Sequence, residues 1–509
     1  MPGETEILEF LRRILGAAGA VETIRTHISV VLLAGERVFK LKRAVRFPFL
    51  DFSTAPRRLA ACEAECALNR RWAPGLYRGV HRITRGADGG LVLDGSGPLV
   101  DAVVEMRRFP AADLFDAMVQ DGRATPALLT ALAHRIAALH AEAPASPARG
   151  GAAAMERLVA LNDRGLRASG LVAAEVADAL AARFRAALGR HAARVEARRA
   201  AGKVRRCHGD LTLRNICLFE GVPTPFDGLE FDEELGTIDV LYDLAFPLMD
   251  LWHRGRGDLA SLLVNRYLDE ADEIDGAGLL PFLMALRAVI RAHVTASQAA
   301  EAPAAAEGGL WREARAYLAL AEQCLQADEA PVLLAVGGLS GSGKSTVAAA
   351  VAPFLGPPPG ARIVGSDRTR KRLHGVPALT PLPAEAYAPA MSEAVYAAMR
   401  AEAARALAGG ASVVVDAVFD RPDEREAIAA VARAGGASFR GVWLQAPVPM
   451  LAARIAARRD DPSDATPAVL AAQAERACGE ITWERLDARL PPETLRAVIL
   501  ARGPVPRAG

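Results

Sequence analysis

Cysteine is scarce in this chain. The six present (Cys62, Cys66, Cys207, Cys217, Cys324 and Cys478) are scattered without metal-like pairing. That argues against a disulfide scaffold and a thiolate zinc site, and it suits a reducing cytoplasmic setting. Aromatic residues make up only 5 % of the chain, a thin supply for the stacking platforms that single-stranded nucleic acids use. No sign of charge dominates either. Lys and Arg number 61 against 60 Asp and Glu, so no global field draws the chain to nucleic acid or to a membrane surface. There is no uninterrupted run of eighteen apolar residues, and the opening MPGETEILEFLRR carries acids where a secretion signal needs an apolar stretch. The expectation is a cytoplasmic protein with no membrane partner. Nothing in the pattern specifies an oligomeric state. Length is what the chain has: 509 residues allow two or three domains, each burying its own core.

The strongest motif is GLSGSGKS, Gly338 to Ser345, which fits the phosphate-loop pattern G-x-x-x-x-G-K-[ST] and follows the apolar run Pro331–Val336. A buried strand, a glycine turn and a helix opening near Lys344 form the setting this motif requires. Backbone N–H groups from Gly338, Ser340, Gly341, Ser342 and Gly343 would converge on phosphate oxygens, aided by the helix N-terminus that Thr346 continues. Lys344 would reach the terminal phosphates and the Ser345 hydroxyl would ligate Mg²⁺. The expected ligand is ATP with Mg²⁺.

Around this motif the pattern divides the chain. Residues 1 to about 20 read as an amphipathic helix with Ile7, Leu8, Leu11, Ile14 and Leu15 on one face. A hairpin turns around Gly35, and a helix runs from Ala55 to Trp72, ahead of Pro74. Strands are expected at 76–83, 90–93 and 98–109. A helical stretch covers 125–199, broken by the loop 143–151. Loop and strand cover 206–231, and helices return over 238–324. The Ala-Pro-rich piece Glu301–Gly309 reads as a surface loop. Helical periodicity stops over Gln326–Pro331, the candidate linker. After it, helices alternate with strands at 361–366, 412–418 and 440–445, which argues for a doubly wound α/β domain. The expected domains are 1–326 and 327–509.

The first half carries a second constellation. HGDLTLRN, His208 to Asn215, resembles the catalytic loop of the aminoglycoside phosphotransferase and choline kinase family, which shares the protein-kinase-like fold. The resemblance covers about residues 20–325 and implies a bilobal α+β domain, with a small lobe over about 20–110 and a large lobe over about 111–326. It implies Asp210 as the base that accepts the acceptor hydroxyl's proton, Asn215 as a metal ligand and His208 as a loop brace. In FDGLEFDEELGTIDVLYDLAF, Phe226 to Phe246, the chain departs from the family's usual single Asp. Aspartate identity favours Asp227, whereas alignment on the following Phe favours Glu230. From a regular strand the two would not point at one metal. Asp239 and Asp243 are expected to cap or brace the next helix. Lys40 and Lys42 lie on one face of VFKLKRAV, Lys40 being preferred for the α- and β-phosphates, with Glu65 ahead of Glu63 as the partner acid. VVEMRRFP, Val103 to Pro110, resembles the adenine-receiving hinge.

The second half resembles small P-loop kinases related to gluconate kinase, polynucleotide 5′-kinase and zeta-toxin-like enzymes. By that resemblance Asp367 orients the acceptor hydroxyl and Arg370, three residues on, neutralises charge. Asp416 ends a strand of the kind that holds Mg²⁺ through water. RIAARRDDPSDA, Arg454 to Ala465, resembles the lid, with Arg458 preferred to Arg459 and sharing a helical face with Arg454. The expected function is a two-headed kinase phosphorylating hydroxyl groups of small molecules such as sugars or amino alcohols. The alternatives are a regulator with one active half, or a polynucleotide 5′-kinase in the second half using the basic run RTRKR. The short acidic run Asp232–Glu234 does not single out a polycationic drug as substrate.

Overall fold

The computed structural model describes residues 3–501 apart from 17–18, 48–49, 303, 327–329 and 477. Packing divides the chain into two compact units. One comprises Met1–Ala154 and Val195–Asp250, the other Met155–Arg194 and Leu251–Gly509.

The first unit is built on a six-stranded antiparallel sheet in the order Glu22–Arg25, Ser29–Ala34, Arg37–Lys42, Leu99–Arg107, Tyr77–Arg85, Leu91–Leu93. Gly35 sits at φ 54° in the turn of the expected hairpin, a left-handed conformation that costs glycine no steric strain. The amphipathic helix Glu4–Gly16 buries Ile7, Leu8, Leu11 and Leu15 against Val30, Leu32, Phe39 and Leu41. The helix Ala55–Trp72 has its foreseen limits and buries Cys62 and Cys66 with Val38, Ala102 and Val104. Burial pushes the Cys62 thiol up to about 12, as befits a small core residue rather than a ligand.

The loop 207–215 hangs between two small ladders. Val204–Arg206 pairs with Thr237–Asp239, and Ile216–Phe219 pairs with Val222–Pro225. The helix expected from Ile238 therefore begins only at Val240. Asp239 ends the strand, accepts a hydrogen bond from Leu241 N at 2.8 Å, and takes both ends of the Arg198 guanidinium at 2.7 and 2.8 Å.

The second unit holds a five-stranded parallel sheet in the order Arg362–Gly365, Val413–Asp416, Val332–Gly337, Ser438–Gln445, Glu484–Asp487. The phosphate-loop strand lies at its centre, paired with Val413–Asp416 and Ser438–Gln445. The fifth strand, ERLD, went unforeseen because only Leu486 of it is buried. Helices Gly257–Glu270, Leu280–Glu301 and Ala304–Cys324 belong to this unit. The surface loop expected at 301–309 is corrected: a helix runs from Ala304 to Cys324, as the strong helix propensity of its alanines favours. By length and composition, Ile274–Glu301 is apolar enough to cross a membrane, but 67 % of its apolar window is buried inside the fold, as for a core helix.

Trp483 lies flat on the parallel sheet because Gly441 has no side chain; an added Cβ would fall on the indole ring. Gly441→Ala is expected to destabilise the second unit by about 1–3 kcal/mol and to perturb Trp fluorescence. Urea unfolding followed at the tryptophans checks this, and an unchanged midpoint would contradict the packing.

Candidate active sites

In the first unit, the Lys40 and Lys42 side chains converge on one acid. Lys40 Nζ donates to Glu65 Oε1 at 2.8 Å and also pairs with Asp227. Lys42 Nζ donates to Glu65 Oε2 at 2.7 Å and pairs with Glu230. Burial pushes the Glu65 carboxyl up, but the two ammonium groups outweigh it and hold it down at about 2. Burial also pushes Glu230 up, only partly offset by Lys42. For Lys40, burial pulls the ammonium down, yet Asp227 and Glu65 raise it overall.

The two candidate acids differ in setting. Glu230 is enclosed with Lys42, whereas the Asp227 side chain is 40 % exposed. The segment following Pro225 is not a strand, and Asp227 has φ 60°. The expectation of alternating strand faces is therefore corrected. This bend is held by hydrogen bonds to two side chains that the sequence reading did not single out. Asp227 N donates to Tyr77 Oη at 3.1 Å, and Gly228 N donates to Asn69 Oδ1 at 2.7 Å. Asn69 stands one helical turn from Glu65, so helical spacing could have paired them.

The structure brings the loop residues together. Asn215 Nδ2 donates to Asp210 Oδ2 and to Asp210 O, both at 2.8 Å. His208 Nε2 lies 2.9 Å from Phe226 O, its ring edge-on to Trp72, and burial lowers its pKa. Asp243 accepts from His208 N at 3.1 Å and Gly209 N at 2.8 Å, so it braces the loop from the following helix.

In the second unit, Gly338, Gly341 and Gly343 all have positive φ, and the helix Lys344–Val351 opens at the expected residue. A Cβ at Gly341 would lie 2.6 Å from Leu451 O, so only glycine lets the loop pass there. Ser340 N is held by Gln473 Oε1 at 3.0 Å, a residue the motif did not reveal. Ser345 and Thr346 are exposed, while Ser342 Oγ is buried without a hydrogen-bond partner among the described residues. Lys344 Nζ donates to Leu339 O at 3.1 Å, and burial lowers its pKa against the pull of Asp416 and Asp367. Asp416, hydrogen-bonded to the Ser345 hydroxyl, is pushed up to about 6 by burial despite Lys344.

Asp367 lies in the first turn of the helix Ser366–Leu373, its pKa raised by burial, with Ser463, Lys344 and Arg370 opposing. Arg370 is buried, donates to Ala386 O at 2.6 Å and stacks on Tyr387 at 4.6 Å. Asp464 fastens the lid segment by accepting from Lys371 Nζ, Tyr387 Oη and Leu382 N. The shared helical face of Arg454 and Arg458 is corrected. The helix ends at Ala457, so Arg454 donates to Ala488 O at 2.9 Å, whereas Arg458 pairs with Asp461 and its charge is felt at Lys344.

Comparison with known proteins gives the class of the chain. Residues 49–279 match the phosphotransferase enzyme family, and residues 333–478 match an AAA domain. The chain is a kinase-class enzyme with a phosphotransferase half and a P-loop half. Over 483 residues it is 32 % identical to uncharacterised protein Rv2004c of Mycobacterium tuberculosis and to uncharacterised protein Mb2027c of Mycobacterium bovis. Each match covers 93 % of both chains, and this chain belongs to their family. Among solved structures, a gluconokinase from Sinorhizobium meliloti is 25 % identical over 34 % of this chain and 94 % of its own, with TM-score 0.24. A choline/ethanolamine kinase family protein from Mesorhizobium loti is 16 % identical over 63 % of this chain and 99 % of its own, with TM-score 0.38.

Glu65→Gln leaves two buried ammonium groups short of a partner and is expected to cost about 3–5 kcal/mol near neutral pH. Because the folded carboxyl is depressed from 4.5 to about 2, its contribution is full above the ordinary value and is lost as pH falls between the two. Urea midpoints of wild type and variant should therefore converge as the pH is lowered through that window. A gap that stays constant would contradict the assignment.

Proposed function

We propose that the chain is an ATP-dependent kinase with two sites, each transferring a γ-phosphoryl group to a hydroxyl of a small molecule. The proposed domains are 1–326, with lobes over about 20–110 and 111–326, and 327–509. What supports this reading is that Lys40 contacts Glu65 and Asp227 and Asn215 contacts Asp210 in the first unit, while Lys344 lies within the electrostatic reach of Asp416 and Asp367 in the second. These residue types suit phosphate, a hard metal and an acceptor hydroxyl.

In the first site Lys40, oriented by Glu65, would take the α- and β-phosphates. Asn215 and Asp227 would hold Mg²⁺, and Asp210 would accept the acceptor's proton. Asp227 is favoured over Glu230 because Lys42 already engages Glu230 in a buried pair. In the second site the loop 338–345 would cradle the phosphates, with the partnerless Ser342 Oγ as one available polar contact. Ser345 and Asp416 would hold Mg²⁺, Asp367 would orient the acceptor, and Lys344, Arg370 and Arg458 would offset charge. Mg²⁺, when bound, supplies charge neutralisation at the transferring phosphate. The polynucleotide alternative loses support because three of the four cations of the run RTRKR are paired with carboxylates from elsewhere in the chain. Arg368 pairs with Asp269, Lys371 with Asp464 and Arg372 with Glu402, and Arg370 is buried against Ala386 O and Tyr387 rather than open to a strand.

Calorimetry with Mg·ATP should give two nucleotides per chain, and Lys344→Ala should leave one. Asp210→Asn should lower turnover at the first site by about 10²–10⁴-fold, as expected for loss of a general base, with nucleotide still bound. A stoichiometry of one, abolished by Lys344→Ala, would overturn the two-site reading.

A further inference from the structure

We propose that Asp269, on the helix Gly257–Glu270 far upstream of the phosphate loop, is the positioning residue that sets Asp367 in the second site. The inference rests on the reading of Asp367 as the acceptor-orienting carboxylate.

Asp269 gathers three arginines. Arg362 Nη2 lies 2.7 Å from Oδ1, while Arg266 Nη1 lies 3.1 Å and Arg368 Nη1 3.5 Å from Oδ2. Arg362 opens the edge strand Arg362–Gly365 of the parallel sheet, and Arg368 is the immediate neighbour of Asp367 on the helix that follows it. One carboxylate thus hydrogen-bonds the strand through Arg362 and pairs by charge alone with Arg368 on the helix that follows, its Oδ2 having no hydrogen-bond partner among the described residues.

Two neighbours complete the brace. Asn265, one residue before Arg266, treats the edge strand as a partner strand would. Its Oδ1 accepts from Ile363 N at 2.7 Å, and its Nδ2 donates to Ala361 O at 3.2 Å. An exposed edge is thereby covered. Glu402 accepts from Arg362 Nη2 at 2.7 Å and pairs with Arg372, one helical turn beyond Arg368. Arg368 and Arg372 therefore anchor one face of the helix, and Arg370 and Lys371 reach Ala386 and Asp464 from another. The strand's far end also matters. Gly365 is in register with Asp416, and a Cβ there would lie 3.1 Å from Asp416 Oδ1, so a shifted strand would disturb both acids.

The test uses the full chain carrying Asp210→Asn, which silences the first site, with Mg·ATP as probe and water as the acceptor. Arg368→Gln severs only the link from Asp269 to the helix, at a side chain 31 % exposed, so it can be made without threatening the fold. Asp269→Asn breaks the whole brace. Both should speed amide exchange in 366–373 by about tenfold while leaving 338–345 protected. Both should lower kcat for ADP release by about tenfold to a hundredfold, with the KM for ATP within about twofold. In an Asp367→Asn background neither should lower ADP release further. Should Asp269→Asn fail to fold, Arg368→Gln decides. Wild-type exchange and turnover in Arg368→Gln would overturn the inference, as would losses that multiply unchanged in the Asp367→Asn background. If the Asp210→Asn chain releases no ADP that Lys344→Ala abolishes, exchange in 366–373 alone judges the brace, and the two-site reading is judged by calorimetry, failing if it finds no nucleotide that Lys344→Ala removes.

Discussion

A buried carboxylate that has given up its water must be paired, and the first unit is organised around that requirement. Glu65 is fully enclosed and stays ionised only because Lys40 and Lys42 both reach it. The two lysines come from one face of the strand Arg37–Lys42, so the strand and the helix Ala55–Trp72 are fixed in register by charge as well as by the apolar packing of Cys62 and Cys66. The same helix, through Asn69, holds the bend at Gly228. Misplacing the helix by one residue would strand two ammonium groups and unfasten the bend together.

The second unit meets the same requirement with arginine. Arg362 is buried and satisfied by two carboxylates, Asp269 and Glu402, from two different helices. A planar guanidinium suits that bridging role better than an ammonium, since its fork offers several donors in fixed directions. The cost is dependence on distant chain. The edge strand, which chain order assigns to the domain 327–509, takes its cover from Asn265.

Much of this was legible in the sequence. The helix Ala55–Trp72 announced its end by Pro74 beyond it, and the hairpin its turn by Gly35. The phosphate loop was visible as a string because its geometry is carried by glycines within eight residues. What stayed hidden was whatever depends on a partner from elsewhere. A two-residue period places Lys40 and Lys42 on the same face and cannot rank them. The bend at Asp227 breaks the strand that alternation assumed, because the φ of 60° is enforced by contacts from Tyr77 and Asn69. Asp269 carried no motif that marked it out, since its partners Arg362 and Arg368 lie about ninety to a hundred residues further along the chain. Helical spacing put Arg454 and Arg458 on one face, but the helix ends between them at Ala457.

The division of labour between the two lysines follows from their surroundings. Lys42 is sealed between Glu65 and Glu230, whereas Lys40 shares Glu65 with an Asp227 whose side chain is 40 % exposed. On the proposed reading, a triphosphate and its metal compete for both members of the Lys40–Asp227 pair, the ammonium going to phosphate and the carboxylate to metal. Exchanging one pair for two new ones costs little only if Glu65 does not lose its remaining cation in the process. Lys42 ensures that it does not. The second lysine is thus a fixed counter-charge that lets the first one change partners without exposing a bare carboxylate in the core.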